Sequence, residues 1–427
     1  MQRTACHPET TYNGSDDAFE ESEGGLDSMV RQPADYRLVW GDLHIHSYFS
    51  SCYWGEETLP DGFDGSPADC YRYARDVAHM DFGAVTDHTW SGNGRMLVED
   101  EWSEILDANR QYHEPGRFVS VPAYEWNSPK DRQWGHRNTI FNHDEPPILR
   151  SGAAVTDLSQ LWQQLEALPY DSLSIPHHLA RDATPYDWSQ HHAHWEPVVE
   201  ITSLWGNYEY QGNPHECDPN WSPSATGSFL QDGLAEAHRV GVIGGGDNHT
   251  GHAGGHYYHS DNPKAASNKR LGRLSQLRMN ALGTGIGGLY VKEFTREGIF
   301  EALRARRCIA ASGRKIGLWT ETNGLPMGAE GPMLDGGPRT IAYSVSGSER
   351  LKSVSLVRNG VDVKRFYADD YYHEGTLEDT DPLERLQKIS PSVSNGNGEN
   401  WVYYYVRVVQ EDGRTAWSSP VWFPVSA

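Results

Sequence analysis

The sequence of 427 residues has few cysteines and no long apolar run. Its five cysteines, Cys6, Cys52, Cys70, Cys217 and Cys308, are odd in number and include no C-x-x-C pair. This argues against a disulfide framework and a zinc ribbon, and it fits a reducing cytoplasm. No stretch approaches the roughly 20 apolar residues that span a membrane, and the first ten residues lack a signal-peptide core. We therefore expect a cytoplasmic protein with no membrane partner.

Positive charge is also scarce, because 36 Lys and Arg face 59 Asp and Glu for a formal net charge of −23. Without a basic cluster to contact a phosphate backbone, nucleic acid is not an expected partner. Histidine and tryptophan are abundant instead, with 20 and 15 residues. The histidines cluster in a few segments, which are where we look for chemistry.

Three regions follow one another along the chain. Residues 1–34 carry SDDAFEESEGG and little apolar periodicity, which predicts a disordered acidic tail. In residues 35–315, apolar strand-like runs alternate with helical patterns such as SPADCYRYARDVAHM, which predicts an α/β domain with a parallel sheet or barrel. Residues 316–427 show period-two strands with turns at Asn359-Gly360 and Asp412-Gly413, which predicts a small antiparallel β-sandwich.

The apolar runs of the α/β region end one after another in side chains that can bind metal. They finish at His44 and His46, at Asp87-His88, at Glu125, at His177-His178, at Glu200 and at Asp247-x-His249. In a (β/α) barrel the carboxyl ends of all strands meet at one mouth, and residues two apart on a strand share a face. The pattern therefore predicts a metal site.

Imidazole and carboxylate ligands without clustered thiols suit zinc, manganese or iron. The candidates outnumber the four ligands of one tetrahedral zinc, so we expect two or three divalent transition-metal ions. Glu125, alone at its strand end, is the natural bridging carboxylate. Such a centre generates hydroxide at neutral pH while it holds an ester or phosphate oxygen, so the expected chemistry is hydrolysis.

Four segments resemble, in order, the motifs of the polymerase and histidinol phosphatase (PHP) family: DLHIHS, AVTDH, SIPHH and GGDNH. The similarity spans roughly residues 36–315. The segment GGLYVKEFTREGIFEALRARRCIAASG, with the terminal AWSSPVWF, looks like a bacterial branch of PHP-type metallohydrolases that carry a C-terminal β-sandwich. The resemblance implies an α/β fold with a distorted (β/α)7 barrel and a site of two or three metals.

The resemblance also implies which residues bind the metals. It carries over the ligands His44, His46, His88, Glu125, Asp247 and His249, adds His136 as a further ligand, and takes one histidine of the pair His177 and His178. The first motif departs from the family pattern, because Cys52 in SYFSSC stands where an Asp or His ligand is common. A Cys52 thiolate favours zinc there, and the alternative is a small buried cysteine beside the site.

Further residues lie next to these ligands. Asp87 and Asp247 are candidates to orient or deprotonate the attacking water, although Asp87 is favoured as an acceptor that orients an imidazole. Glu200 follows the same logic. Arg137 and Arg181 are predicted to bind an anionic substrate, since a guanidinium fits phosphate or carboxylate.

The sequence thus predicts a metal-dependent hydrolase that attacks a small anionic or ester substrate with a metal-bridging hydroxide. A phosphate ester is the first expectation, and a carboxylic ester, carbamate or amide is the alternative. A protein of another class would bind a glycan or a partner through the β-sandwich and keep the barrel as a relic. The retained motif residues argue against that third interpretation.

Overall fold

The computed structural model describes residues 30–53, 62–91, 94–129, 134–216, 223–255, 284–386 and 400–426. Within them the chain is a strand-rich mixed α/β protein, which confirms the predicted class. The described α-helices are α1 (Pro67–Asp76), α2 (Glu99–Tyr112), α3 (Ser159–Glu166), α4 (Leu230–Ala235) and α5 (Arg296–Arg304). None of these described helices has the length and apolar character that crossing a membrane requires.

Helix α1 shows how local sequence sets an element boundary. Ser66 precedes the helix, and its hydroxyl accepts a hydrogen bond from the Asp69 amide at 3.2 Å, while Pro67 occupies the first turn. Tyr71 and Ala74 lie on the buried face, as their spacing predicts. The helix predicted in SPADCYRYARDVAHM is confirmed.

The predicted metal ligands lie on or next to the first eleven strands. They are β1 (Arg37–Ile45), β2 (Phe82–Val85), β3 (Val119–Ser120), β4 (Ala123–Asn127), β5 (His136–Phe141), β6 (Ser172–His177), β7 (Val198–Ser203), β8 (Gly206–Asn207), β9 (Gly241–Gly244), β10 (Gly285–Val291) and β11 (Cys308–Ser312). Strand β1 is buried along all but its first residue, as expected for a strand covered on both faces.

The pairing of these strands is only partly parallel. Strands β1, β2 and β3 pair in parallel, as do β7 and β9, but β10 and β11 continue from β1 in antiparallel fashion, and β4, β5 and β6 form an antiparallel sheet. Among the described residues the ladders form open sheets, so the predicted (β/α)7 barrel is not confirmed. Strand β5 brings His136 next to His177 in register, so two predicted ligands lie side by side on neighbouring strands.

Strand β10 was not predicted from the sequence because of its glycine content. Its sequence GIGGLYV is rich in glycine, which disfavours a strand assignment from pattern alone. A Cβ at Gly285 would collide with the Thr202 carbonyl, and one at Gly287 would lie 2.5 Å from the Ile243 side chain. Glycine is therefore needed for close packing against neighbouring strands.

The C-terminal strands are antiparallel, as predicted. They are β12 (Gly317–Thr322), β13 (Leu325–Pro326), β14 (Arg339–Ser346), β15 (Leu351–Arg358), β16 (Val361–Phe366), β17 (Tyr372–Asp379), β18 (Asn400–Gln410), β19 (Thr415–Ser418) and β20 (Val421–Val425). Asn359 and Gly360 both have positive φ, 47° and 79°, at the hairpin between β15 and β16. This matches the turn that an Asn-Gly pair favours.

The C-terminal strands do not form a sheet system separate from the rest. Strand β19 pairs with β11, so one ten-stranded sheet runs from β16 through β10 and β1 to β3. A second sheet contains β13, β12, β14 and β17. The sandwich and the boundaries at residues 34 and 315 remain predictions.

The acidic tail expected for residues 1–34 falls largely outside the described residues. Its last part is described: Val30 is buried near Gly317, and the Arg31 amide donates to Ser344 Oγ at 2.8 Å. This part of the chain therefore packs on β12 and β14.

Candidate metal centre

The nine residues predicted as metal ligands lie together in one buried cluster. They come from the end of β1, the turn after β2, β4, the start of β5, the end of β6 and the turn after β9: His44, His46, His88, Glu125, His136, His177, His178, Asp247 and His249. Both histidines of the pair 177 and 178 enter the cluster. Two carboxylates, Glu125 and Asp247, connect its members.

Glu125 lies at the centre of one half of the cluster. Its Oε1 is 2.6 Å from His136 Nδ1 and 3.2 Å from His177 Nε2. Its Oε2 is 3.2 Å from His88 Nδ1 and 3.5 Å from His46 Nε2. One carboxylate therefore faces imidazoles on both of its oxygens, as a bridging ligand would.

Asp247 has the same position in the other half. Its Oδ1 is 3.3 Å from the Nε2 atoms of both His44 and His46 and 3.2 Å from His249 Nε2. Its Oδ2 is 2.9 Å from His178 Nε2. His44 and His46, two apart on β1, thus meet the same carboxylate oxygen, which is the arrangement that their spacing predicts.

Charge on the two carboxylates follows from these contacts. Burial alone would raise the pKa of Glu125, but His88 and His177 together hold it well below its usual range. Burial opposes ionisation of Asp247 in the same way, and His44 and His178 lower its pKa well below the usual range. Both groups are ionised at neutral pH and can act as anionic ligands.

Cys52 points into the cluster. Its Sγ lies 3.1 Å from His88 Nε2 and 3.8 Å from His249 Nε2. Burial raises the pKa of this thiol, but the imidazoles of His249 and His88 outweigh burial and lower it to about 5. The structure thus places the sulfur beside ligand nitrogens and not in an apolar surrounding.

Glu200 and Ser50 hold the rings of the two β1 histidines. The Glu200 Oε2 atom is 2.9 Å from His44 Nδ1, so the other ring nitrogen of His44 faces the cluster. Ser50 Oγ donates to Asp87 Oδ1 at 2.6 Å and lies 2.9 Å from His46 Nδ1. Since the hydroxyl has one proton and Asp87 accepts it, Ser50 Oγ accepts from His46 Nδ1. In the neutral imidazole, His46 Nε2 then carries no proton and faces the cluster with its lone pair.

Asp87 itself does not reach the cluster. Its carboxylate accepts from the Ser47 amide at 2.9 Å, from Ser47 Oγ at 2.5 Å and from Ser50 Oγ. These contacts favour the orienting role over the predicted catalytic one. Sequence reasoning missed Ser50, because nothing in SYFSSC marks one serine over the others.

Asn127 was also missed, although a signal was available. It lies two residues after Glu125 on β4 and therefore on the same face. Its Nδ2 is 2.8 Å from Glu125 Oε1, 2.9 Å from His88 Nδ1 and 3.3 Å from His136 Nδ1. The amide thus helps to fix the Glu125 carboxylate beside the imidazoles of His88 and His136.

The glycines of the motif GGGDNH leave room for two buried carboxylates. A Cβ on Gly245 would overlap Glu200 Oε2, and a Cβ on Gly246 would overlap Asp42 Oδ2. Asp42 accepts from the His44 amide at 2.9 Å, the Gly246 amide at 2.8 Å and the Gly254 amide at 3.0 Å. The motif therefore joins the ends of β1 and β9 through backbone donors.

The two arginines predicted to bind substrate have different surroundings. Arg137 is fully buried, its Nε donates to Glu196 Oε1 at 2.6 Å, and its guanidinium lies 5.2 Å from the Tyr186 ring centroid. Its guanidinium pairs with Glu196 inside the protein, which does not favour contact with a substrate, and the substrate role of Arg137 stays a prediction. Arg181 is half-buried 5.6 Å from the ring of Trp205, which lies 5.5 Å from His249 at the edge of the cluster.

The donor atoms fit divalent metal ions. Three or more donor atoms within 4.8 Å of one another occur in four overlapping groups: His46, Cys52, His88 and His249; His136, His177 and His178; His44, His46 and Asp247; His44, Glu125 and His177. The buried His44 Nε2 and Glu125 Oε2 atoms have no hydrogen-bond partner among the described residues. Buried polar atoms without partners are costly, and a shared cation would satisfy them.

More than half of the chain matches one known protein family. A family model described as a protein of unknown function (DUF3604) matches residues 78–220 and 230–320, more than half of the chain. The chain belongs to this family. The DUF3604 match includes His88, Glu125, His136 and Asp247 but begins after the β1 histidines.

The DUF3604 chain also resembles longer uncharacterized proteins of Chlamydia. A protein of Chlamydia muridarum (strain MoPn / Nigg) is 24% identical over 400 residues, which cover 91% of this chain and 58% of the relative. One of Chlamydia pneumoniae is 27% identical over 397 residues, which cover 90% of this chain and 57% of the relative. The chain thus spans somewhat over half the length of these relatives.

Two solved structures resemble the chain loosely. One is a two-domain protein containing a predicted PHP-like metal-dependent phosphoesterase from Bacteroides vulgatus ATCC 8482, with a TM-score of 0.43, 12% identity and coverage of 92% of this chain and 98% of that chain. The other is PsfC from Pseudomonas syringae PB-5123, with a TM-score of 0.34, 13% identity and coverage of 60% and 82%. At these TM-scores the likeness carries no argument about function.

Proposed function

We propose that the protein is a metal-dependent hydrolase that binds two or three divalent transition-metal ions and cleaves a phosphate ester of a small molecule. The observation that carries the proposal is the set of overlapping donor groups linked by Glu125 and Asp247. One mononuclear site would use three or four of these side chains. Seven imidazoles around two shared carboxylates fit more than one ion.

Each proposed metal position has its own residues. His44, His46 and Asp247 would hold an inner ion, and His136, His177 and His178 would hold a second, with Glu125 between them. Cys52, His88 and His249 lie at a third position. When bound, such ions lower the pKa of a coordinated water and polarise an ester oxygen.

The charge of the centre favours an anionic substrate. Imidazoles that bind metal are neutral, so two or three divalent ions held by the two carboxylates would leave net positive charge in a buried setting. Arg181 lies at the edge of this cluster and, with Trp205 beside it, can contact a phosphate oxygen. Glu125 and Asp247 act as anionic ligands, and we assign Asp87 to holding Ser50.

A combined metal and substrate assay tests the proposal. The purified protein is reconstituted with zinc, manganese or iron, its metals are quantified, and it is offered a phosphate monoester, a phosphodiester and a carboxylic ester. We expect at least two ions per chain and release of phosphate. Less than one ion per chain after reconstitution would overturn the proposal, and turnover of the carboxylic ester alone would overturn its substrate class.

A further inference from the structure

Cys52 differs in kind from the other donors of the cluster, because the remaining donors are nitrogen or oxygen atoms. We infer that Cys52 is a metal ligand and that, with His88 and His249, it makes a sulfur-containing position that selects zinc. This inference rests on the proposed metal-dependent function. It assigns a different metal preference to one position of the centre.

The distances around the sulfur fit a shared ion. In a tetrahedral zinc site, with Zn–S of about 2.3 Å and Zn–N of about 2.0 Å, a sulfur and a nitrogen ligand are about 3.5 Å apart. The Cys52 Sγ lies 3.1 Å from His88 Nε2 and 3.8 Å from His249 Nε2, on either side of that value. A neutral thiol can donate its single proton to only one imidazole nitrogen, whereas two ring nitrogens face this sulfur. A thiol hydrogen bond therefore accounts for only one of the two contacts.

The position lies on the solvent side of the cluster. The side chains of His88 and His249 are 16% and 12% exposed, while those of His44, Glu125 and Asp247 are at most 1% exposed. His249 Nε2 is also 3.2 Å from Asp247 Oδ1, which connects this outer position to the inner one. Three protein ligands at a partly open position leave a coordination place for an exchangeable group.

Ligand softness sets the expected preference. Thiolate ligands favour zinc, whereas carboxylate and water ligands suit manganese. The groups without Cys52 offer only imidazole and carboxylate donors, which suit zinc, manganese or iron and lack the preference that sulfur adds. Replacing the sulfur should therefore change the metal bound at one position and leave the others unchanged.

The other described cysteines provide controls. Cys70 Sγ lies 4.0 Å from the His46 carbonyl oxygen, and Cys308 Sγ lies 3.5 Å from Ser419 Oγ. Both are buried, and neither belongs to a donor group. Cys308→Ser is the better matched control, because Ser419 Oγ donates its proton to the Cys308 carbonyl oxygen and can accept a hydrogen bond from the new hydroxyl.

Cobalt substitution provides the first test. Cobalt(II) bound to a thiolate shows a sulfur-to-metal charge-transfer absorption in the near ultraviolet, which nitrogen and oxygen ligands do not give. We expect this absorption in the cobalt-loaded wild-type protein and in Cys308→Ser. In Cys52→Ser we expect the absorption to disappear and the protein to bind about one ion per chain fewer than the wild type. A cobalt-loaded wild-type protein without the absorption would overturn the inference.

Alkylation of the unmodified wild-type chain provides a test that does not depend on a variant folding. Iodoacetamide labelling is followed at the peptide that contains Cys52 by mass spectrometry. We expect zinc to slow labelling of Cys52 at least tenfold relative to metal-free protein, and manganese to slow it much less. Equal labelling with and without zinc, at two bound ions per chain, overturns the sulfur ligand but leaves the proposed function intact, whereas absence of bound metal overturns both.

Discussion

Replacing Glu200 separates the charge of the carboxylate from its hydrogen bond to His44. Glu200 is 2% exposed, and its Oε2 lies 2.9 Å from His44 Nδ1. Glu200→Gln keeps an oxygen that accepts from Nδ1 and removes only the charge, whereas Glu200→Leu removes the acceptor. Changes to such supporting partners typically reduce metal affinity by 10–100-fold.

The two variants should therefore fall at opposite ends of that range. We expect affinity at the inner position to decrease about tenfold in Glu200→Gln and about 100-fold in Glu200→Leu, or about 1.4 and 2.7 kcal/mol. Part of the loss in Glu200→Leu comes from a His44 ring that is free to turn or change tautomer.

Competition with a chromophoric chelator measures this affinity ion by ion. Glu166→Gln, at the exposed end of α3, is the matched control and should bind metal as the wild type does. Far-ultraviolet circular dichroism must show that each variant is folded before titration. Equal affinities for wild type and both Glu200 variants would refute the idea that this carboxylate supports His44.

Three further changes test other parts of the structure. Glu125→Gln should lower turnover at least 100-fold while its thermal unfolding temperature stays within a few degrees of wild type. The reason is that a charged bridging carboxylate becomes a neutral side chain of the same shape. Retained turnover at full metal occupancy contradicts this role. Gly245→Ala should displace the Glu200 carboxylate and weaken metal binding by about tenfold, measured with the same chelator, and unchanged affinity would show that the loop moves without effect. Glu196 has a pKa that burial raises but Arg137 and His191 lower to about 2, so its stabilising contribution is complete above pH of about 4.5 and is lost as pH falls through about 2. Glu196→Gln should then unfold about 3 kcal/mol more easily at pH 7 in urea titrations, with a smaller difference at pH 3, and a difference independent of pH would contradict the pairing.

Most of the cluster could be predicted from the sequence because its residues lie within or just after apolar runs that are recognisable locally. His44, Glu125 and Asp247 each follow an apolar run, and the carboxyl ends of such runs tend to meet. The arrangement of strands was harder to infer. Strand β10 is glycine-rich for packing reasons, and β5 is short and partly polar, so neither gave a clear periodic signal.

Residues that hold the ligands were less accessible than the ligands themselves. Glu200 was noticed through its place at a strand end, but its contact with His44 spans 156 positions along the chain. The pairing of Arg137 with Glu196 could not be predicted for the same reason, because the two residues are 59 positions apart. Local pattern does not specify such long-range pairs, and burial decides whether an arginine serves a substrate or the core.

The ambiguity between His177 and His178 has a backbone origin. On a regular strand neighbouring side chains point to opposite faces, so one of the two should have turned away from the cluster. His178 instead has φ of 53°, in the left-handed region, just after β6 ends at His177. This turn brings His178 Nε2 to Asp247, while His177 Nε2 remains at Glu125. Asp247, three residues after the end of β9, also has a positive φ, of 48°. Non-glycine residues in this conformation cost of order 1–3 kcal/mol each and persist where surrounding contacts compensate. The turn at His178 lets two residues adjacent in sequence face one centre, so the end of β6 contributes two members of the cluster where strand alternation alone would allow one.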